Sequence, residues 1–268
     1  MEKNYPTDLT DNEWKIIQHF FNKRPHRGGR PYVYSKRQIV NAIFYILRSG
    51  CAWRLLPRDF PSWSVVYNHF REWEVQGLWE KINATLSQKY RAMKGREARP
   101  NAAVIDSQSA RTTEKGVPAE DMMERRRLKE EKGISSLIHK GSLLQAKVTG
   151  ANISDKALTK ERHLKKVWRD SAYQGADLKQ RFSAQGIDLE VIKWPSGRRR
   201  IYNEQWKAEW IPIQREFNIL PRRWVVERTY AWMGRNRRLS KDYEFLPEVS
   251  EACLYVAMSK ILLRRLNN

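Results

Sequence analysis

Three carboxylates stand where this sequence could assemble a metal site. Asp106 follows the apolar stretch AAVI, Asp170 follows LKKVW, and Glu227 lies within PRRWVVERTYAW, where arginines flank it. Oxygen ligands of this kind bind hard divalent cations such as Mg²⁺. Two such ions about 3.5–4 Å apart activate a water or a 3′-hydroxyl and stabilise the leaving oxygen of a phosphodiester. The three residues therefore predict metal-dependent phosphodiester chemistry.

Each acid taken alone has a plainer interpretation. An aspartate at the end of a strand commonly caps a turn, and a glutamate among arginines commonly forms a surface ion pair. Asp155 in ANISDK, with its neighbour Ser154, is interpreted as a helix cap. The sequence has no nucleophile elbow, phosphate-binding loop or thiol pair that would support other chemistry.

The segments that carry these acids alternate between strand and helix patterns. Apolar runs at AAVID, SLLQAKVTG, LKKVWRD and GIDLEVIKW predict four strands, and RRWVVERTYAWMGRNRRL and SEACLYVAMSKILLRRL predict two helices. Strands followed by helices in this order favour an α/β layer fold, a mixed sheet covered by helices. A basic, aromatic stretch at about 194–216 is interpreted as an insertion between the last strand and the helix of Glu227.

The preceding part of the chain has helix signals and no strand pattern. Capping residues begin helices at Thr10 and Ser35, and Gly50 ends the second one. SWSVVYNHFREWEVQG predicts a third helix, and a fourth lies near 78–95. The stretch KGREARPN after it predicts a domain boundary, which gives a helical domain at 1–95 and a second domain at 96–268.

Three short helices with a tight connection before the last form a helix-turn-helix pattern. In such a unit the third helix would present Tyr67, Asn68 and Arg71 to a DNA groove. An ordinary three-helix bundle, whose aromatic residues only pack, is the alternative.

The overall charge favours a polyanionic partner. Lys and Arg total 51 against 30 Asp and Glu, a net charge of +21, and nucleic acid is the default partner for such an excess. A general RNA-binding protein is an alternative. The longest apolar run, IVNAIFYIL, is about half as long as a membrane-spanning helix, and the N-terminus lacks a signal-peptide pattern. Two distant cysteines, Cys51 and Cys253, argue against a zinc site and fit a reducing cytoplasm.

At these motifs the sequence resembles the DDE transposases of bacterial insertion sequences, in the branch of insertion sequence five and insertion sequence four. The similar blocks follow family order over almost the whole chain: LTDNEWKII, GRPYVYSKRQIVNAIFYILRSGCAWRLLPRDFPSWSVVYNHFREW, AVIDSQSARTTEKG, ANISD, DSAYQG and LPRRWVVERTYAWMGRNRRLSKDYE. The resemblance implies a helix-turn-helix domain followed by an RNase H-like catalytic domain. It also implies Mg²⁺-dependent cutting at terminal inverted repeats and strand transfer into target DNA.

The resemblance assigns roles residue by residue. The acidic triad falls on Asp106, Asp170 and Glu227, which would hold two Mg²⁺ ions, with Mn²⁺ as a substitute. The residues expected to contact DNA are Arg30, Arg54, Tyr67, Asn68, Arg71, Arg223, Arg228, Arg235, Arg237, Arg238 and Lys241. The expected partner is double-stranded DNA, bound by a homodimer or larger assembly because two ends must meet. The expected location is the bacterial cytoplasm, at the nucleoid when DNA is bound.

One stretch, AEDMMERRRLKEEKGISSLIHKG at 119–141, departs from the family pattern that its flanks keep. Family members carry a Gly-Tyr-Asp segment, a basic run and a strand at this place. Read one nucleotide earlier, with freely chosen wobble bases, the stretch gives RGYDGAKKIKGRKRHIVVDTQG, which is the expected block. We therefore hypothesise that two compensating frameshifts, in the gene or in its sequencing, produced this segment. A natural charged insert is the alternative.

The altered segment predicts a local weakening of the sheet. DMMERRRLKEEK favours a helical or disordered surface segment over residues 120–132, while ISSLIH still alternates as a short strand that turns through HKG into SLLQAKV. The expected basic run has become nearly neutral. The second function considered is therefore a catalytically impaired copy that acts only as a sequence-specific DNA-binding protein or repressor.

Overall fold

The structure is a computed structural model that describes residues 5–21, 33–110, 132–139, 141–150, 163–170, 180, 182–192, 198–202, 208–212 and 223–267. Only the backbone is described at 106–110, 132–137, 149–150, 170, 192, 198–202, 208–212 and 223. Predictions for Arg30, for the Ser154–Asp155 cap and for most of the altered segment lie outside the described residues.

The N-terminal part consists of helices, as the capping signals predict. They are α1 (Asp11–Ile17), α2 (Lys36–Ser49), α3 (Trp63–Val75) and α4 (Leu78–Met93), with 3₁₀ turns at Gln18–Phe20 and Trp53–Leu55. Thr10 and Ser35 each complete a capping box, in which the side chain accepts from a backbone N–H of the first turn and the third helical residue bonds back. Gly50 ends α2 with φ +74°.

Five strands form a mixed sheet in the order β3-β2-β1-β4-β5. Their bounds are β1 (Ala102–Ala110), β2 (Lys132–His139), β3 (Ser142–Gly150), β4 (Lys166–Asp170) and β5 (Asp188–Ile192). β2 runs antiparallel to β1 and β3, while β4 runs parallel to β1 and β5. The predicted mixed sheet is confirmed. The strand predicted at ISSLIH is also confirmed, although it begins earlier, at Lys132, which the sequence predicts as helical or disordered.

A second, two-stranded sheet lies in the basic, aromatic stretch at 194–216. Its antiparallel strands are β6 (Arg198–Tyr202) and β7 (Ala208–Pro212). The sequence analysis does not predict these strands. RRRIY and AEWIP are short, and the run of arginines hides the period-two alternation that identifies a half-buried strand.

Two helices complete the fold, α5 (Arg223–Gly234) and α6 (Pro247–Asn267), with a 3₁₀ turn at Arg237–Leu239 between them. α6 is buried over most of its length and packs against β3 and all four N-terminal helices. The largest hydrophobic core therefore combines side chains from α1 to α4, β2, β3, α5 and α6. Apolar packing is continuous across the predicted boundary between residues 95 and 96.

α4 and α6 cover the outer edge of β3, which is an end strand of the sheet. The backbone N–H of Ala146 donates to the hydroxyl of Tyr255 at 3.0 Å, and that of Val148 donates to Glu251 Oε1 at 2.9 Å. From α4, Asn83 Nδ2 donates to the carbonyl of Leu143 at 2.8 Å. These side chains satisfy backbone groups that an open edge would expose to pairing with another chain.

A buried ion pair ties the first helix to the last. Lys260 Nζ of α6 lies 3.1 Å from Glu13 Oε2 of α1, and the two side chains are 13% and 4% exposed. The same glutamate bonds back to the N–H of Thr10 in the α1 capping box at 2.8 Å. Removing Lys260 would leave the buried Glu13 carboxylate with the Thr10 N–H but no opposite charge, which is more costly than losing a surface pair.

We expect Lys260→Met to lower the free energy of unfolding by about 3–5 kcal/mol, because it strands the Glu13 carboxylate. Lys166→Met is the control, since Lys166 pairs with Asp188 and Glu190 at the surface, where loss of an ion pair has little effect on stability. Urea unfolding of the full chain measures both. Equal losses of unfolding free energy in the two variants would show that the Lys260–Glu13 pair stabilises the fold no more than a surface ion pair does.

Candidate active site and DNA interface

The two predicted catalytic aspartates lie on strands that are neighbours in the sheet, β1 and β4. β1 and β4 are parallel neighbours, with Ile105 opposite Arg169 as the last recorded pair. The same register, continued by one residue, places the backbone of Asp106 beside that of Asp170. Adjacent strands lie about 4.8 Å apart. Two carboxylate-bearing positions therefore occupy neighbouring points on the central strands.

The third predicted acid lies on a helix that packs against β1, the strand of Asp106. α5 contacts β1 and β2 and buries Val226, Thr229 and Met233 on one side, at helical spacing. Glu227 follows the first of these residues and has an exposed side chain. The structure thus brings the helix of Glu227 next to the strand of Asp106.

A ladder of aromatic rings and guanidinium groups fixes α5 to the neighbouring helices. Arg228 lies 4.0 Å from the ring centre of Trp224 and 4.7 Å from that of Trp232. Arg265 of α6 lies 4.1 Å from the Trp232 ring and 5.6 Å from that of Tyr90 on α4. Cation–π contacts of this kind are worth more when partly desolvated. The sequence analysis missed the ladder, although the spacing of four residues from Trp224 to Arg228 to Trp232 is its signal.

The ladder rests on the turn between β2 and β3. Gly141 has φ +84°, and its carbonyl accepts from Arg265 Nη1 at 3.3 Å. A Cβ at this glycine would lie 2.7 Å from Cζ3 of Trp232. The position therefore requires both the left-handed backbone that glycine allows and the absence of a side chain.

We expect Gly141→Ala to destabilise the chain by more than Gly95→Ala. Both glycines have positive φ, so each substitution carries about 1–2 kcal/mol of backbone strain. Only at Gly141 must the Trp232 ring move, because nothing lies within 4 Å of a Cβ at Gly95.

Thermal unfolding, followed by tryptophan fluorescence, measures the loss of stability in each of the two variants. A Gly141→Ala loss no larger than that of Gly95→Ala would contradict the proposed seating of Trp232 on this turn.

A second cluster joins the segment after α5 to the N-terminal helices. Arg238 donates to Glu244 Oε1 at 2.7 Å and to the carbonyl of Cys51 at 2.9 Å, and it lies 5.3 Å from the ring centre of Trp53. The sequence predicts a phosphate contact for Arg238, but its side chain is 6% exposed. The structure gives this guanidinium an internal role instead, because the carboxylate, carbonyl and ring occupy it.

The 3₁₀ turn that contains Arg238 approaches the end of α2 very closely. A Cβ at Gly50 would lie 2.9 Å from Cβ of Arg237, and Arg48 donates to the carbonyl of Arg235. These contacts bring predicted DNA-binding residues from both ends of the chain onto one surface. The exposed cationic residues of the two segments that meet here, called the basic surface below, are Arg48, Arg54, Arg58, Arg235, Arg237 and Lys241.

The residues of α3 that the sequence predicts to contact DNA differ in their exposure and in their contacts. Asn68 is exposed. Tyr67 is half-buried with its ring 5.0 Å from that of Trp53, and Arg71 is ion-paired with Glu74. Arg54, on the preceding 3₁₀ turn, is exposed and lies 5.3 Å from the ring centre of Trp63.

Sequence reasoning missed Arg48 and Arg58, which the fold adds to this basic surface. Both are exposed, and Arg48 occupies the last turn of α2, where a cation also compensates the helix dipole. An arginine at the end of a helix is explained by the helix dipole alone. The sequence therefore gives no signal that Arg48 also belongs to a DNA-binding surface.

The donor chemistry of the predicted triad fits a hard divalent cation, since all three residues supply carboxylate oxygens. Among the side chains that the structure describes, no group of three or more His, Cys, Asp or Glu is arranged to hold a metal ion. The side chains of Asp106 and Asp170 are not in that set. Within the described helices, none is long and apolar enough to cross a membrane.

Comparison with known proteins identifies the family from both ends of the chain. Residues 9–83 match a family model described as "Putative transposase of IS4/5 family", and residues 167–264 match one described as "Transposase DDE domain". A Burkholderia cepacia protein, "Insertion element IS402 uncharacterized 16.2 kDa protein", is 27% identical over 113 residues, which cover 40% of this chain and 76% of that protein. No solved structure matches the chain.

The matched regions contain Asp170, Glu227 and the contact between α2 and the segment after α5, while Asp106 lies between the two matches. The first match spans α1 to α3 and part of α4, and the second spans β4, α5 and most of α6. A DDE domain implies transposase activity with a divalent metal and a DNA partner. The chain therefore belongs to the IS4/IS5 family of DDE transposases.

Proposed function

We propose that this chain binds the terminal inverted repeats of an insertion sequence and catalyses DNA strand cleavage followed by strand transfer. One observation supports the proposal above the others. β1 and β4 are parallel neighbours whose pairing reaches Ile105 and Arg169, the residues directly before Asp106 and Asp170. Asp170 is the last residue of β4, while Asp106 lies within β1, which continues to Ala110.

Asp106, Asp170 and Glu227 would hold two Mg²⁺ ions, or Mn²⁺ in their place, through carboxylate oxygens. Ions bound there would supply activation of a water or 3′-hydroxyl and stabilisation of the leaving oxygen. The protein's own contribution is to keep the three carboxylates in position. The sheet holds the two aspartates in register, and the Trp232–Arg265 contact holds the helix of Glu227 against the sheet.

The rest of the architecture supports DNA binding. We assign residues 1–95 to a helix-turn-helix domain and residues 96–268 to an RNase H-like catalytic domain. The strand order with an antiparallel β1-β2-β3 and a parallel β1-β4-β5 supports the second assignment. The exposed arginines and Lys241 around the end of α2 would contact phosphates, which position the protein on the duplex. A homodimer or larger assembly in the bacterial cytoplasm, bound at the nucleoid, would bring two ends together.

The altered stretch at 119–141 favours a second candidate function. If it displaces a DNA-contacting basic run, the chain would act only as a sequence-specific DNA-binding protein or repressor. The structure bears on one part of this question. β2 pairs with β1 from Val104 to Ala110, so this strand of the sheet forms with the present sequence.

We expect Glu227→Gln to lower the rate of strand cleavage about a thousandfold, because loss of a metal ligand forfeits several kcal/mol of charge stabilisation. Glu248→Gln is the matched control, since Glu248 is an exposed glutamate in the first turn of α6, and it should cut at the parental rate.

The assay follows cleavage of a duplex that carries the element's own end, with Mg²⁺, beside a binding measurement on the same duplex. Cleavage that survives Glu227→Gln, or falls equally in Glu248→Gln, would refute the assignment of the triad. Retained binding by Glu227→Gln would confirm that the variant is folded.

The frameshift hypothesis makes its own prediction. The coding DNA, read one base back across residues 119–141, should encode the Gly-Tyr-Asp segment, basic run and strand of the family. Stops or an unrelated peptide in that frame would end the hypothesis. Where the frame is found, a chain restored to it is compared in the cleavage assay. Cutting by the restored chain alone would establish the DNA-binding role for the present one.

A further inference from the structure

A cavity of about 490 Å³ lies at the opposite end of the sheet from the acidic triad. α4, the loop that follows it and the start of β3 form its walls, and the lining includes Ser87, Arg91, Arg99 and Leu143. Pro100, also in the lining, precedes β1. Asp106 is four residues beyond the first residue of that strand, or about 13 Å along it. The cavity is therefore separate from the proposed catalytic site.

Among the described residues of this lining, Arg91 and Ser87 each have a buried polar atom without a hydrogen-bond partner. Arg91 is 8% exposed, and its Nε donates to the carbonyl of Glu97 at 2.7 Å, but its Nη1 is buried with no partner. Ser87 Oγ, on the previous turn of α4, is also buried without a partner. A buried donor left unsatisfied costs free energy, more so when it is charged. A bound acceptor would remove that cost at both positions.

The charge of the lining selects an anion. Arg91 and Arg99 both line the cavity, and the described residues of its lining include no Asp or Glu. Burial lowers the pKa of Arg91, the neighbouring charge of Arg96 lowers it further, and Glu97 opposes the shift. A desolvated guanidinium attracts an anion more strongly than a surface one, because the local dielectric is low. Planar guanidinium groups also match the geometry of phosphate oxygens.

We propose that this cavity binds a phosphate group carried by a nucleotide-sized ligand. Its volume lies within the range of small-molecule sites. Arg91 and Arg99 donate to the phosphate oxygens, and the Ser87 hydroxyl donates beside them. Pro100 and Leu143 provide an apolar wall for the remainder of the ligand. The phosphate belongs either to a nucleotide of bound DNA or to a free mononucleotide, since both present the same group.

The test uses the full chain and compares two exposed arginines of one loop. Arg99 lines the cavity and Arg96 does not, so Arg99→Gln and Arg96→Gln change the net charge equally. Titration calorimetry with adenosine monophosphate forms one arm, and affinity for a short duplex at fixed salt forms the other. One of these two ligands carries the phosphate that the cavity binds. For that ligand, Arg99→Gln should weaken binding about tenfold or more, and Arg96→Gln by less than about threefold.

Ser87→Ala provides a second variant that does not threaten folding, because the hydroxyl it removes has no partner. It should weaken binding in the same arm and leave the unfolding temperature unchanged or higher.

If Arg99→Gln weakens binding of the mononucleotide and Arg96→Gln does not, the cavity binds a free nucleotide. If the same difference is seen with the duplex alone, the cavity binds a phosphate of DNA. Equal effects of Arg99→Gln and Arg96→Gln in both arms, or no saturable binding in either, would overturn the proposal. Cleavage activity is not part of this test, so its result is independent of the proposed function.

Discussion

The outer edge of β3, an end strand of the sheet, must be covered, and the rest of the structure depends on this constraint. An end strand with unpaired backbone groups invites association with other chains, and here Tyr255 and Glu251 of α6 satisfy two of those groups. Because α6 lies along β3, its other sides are available to α1, α2, α3 and α4. The C-terminal helix thus joins the N-terminal helices to the sheet in one hydrophobic core. The position of the sheet relative to these helices follows from that single placement.

In α5 and in the segment after it, buried or half-buried arginines pack against aromatic rings. Beyond the C-terminus of α5, Arg238 joins Glu244, the carbonyl of Cys51 and the Trp53 ring. Along the helix, Arg228 lies between two tryptophan rings. A guanidinium group is weakly hydrated and planar, so it packs against aromatic rings at a smaller desolvation cost than an ammonium group. In a chain of net charge +21, part of the cationic excess therefore stabilises the fold, and the exposed remainder is available to DNA.

Local signals in the sequence predicted the helix starts and most of the sheet. Thr10 and Ser35 cap helices through bonds within one turn, and SLLQAKVTG matches β3 residue for residue. Contacts between distant parts of the chain were not predicted. Nothing near Arg238 in the sequence indicates that Cys51 will accept its hydrogen bond. The register that makes Asp106 and Asp170 neighbours also depends on pairing between strands far apart in sequence, so the resemblance, not periodicity, indicated it.

The distinction between local signals and distant pairing also bears on the hypothesis that residues 119–141 depart from the family pattern. Strand pairing uses backbone groups, which are the same for every residue except proline, and β2 contains none. Among its described side chains, Ile138 is fully buried in the main core, and the ring of His139 bonds to the carbonyl of Ala102. Gly141 supplies the turn that Trp232 requires. An apolar residue near the end of the strand and a glycine after it are the described features that hold β2 beside the strand of Asp106. A foreign segment that keeps both can preserve the scaffold of the site while changing the surface around it.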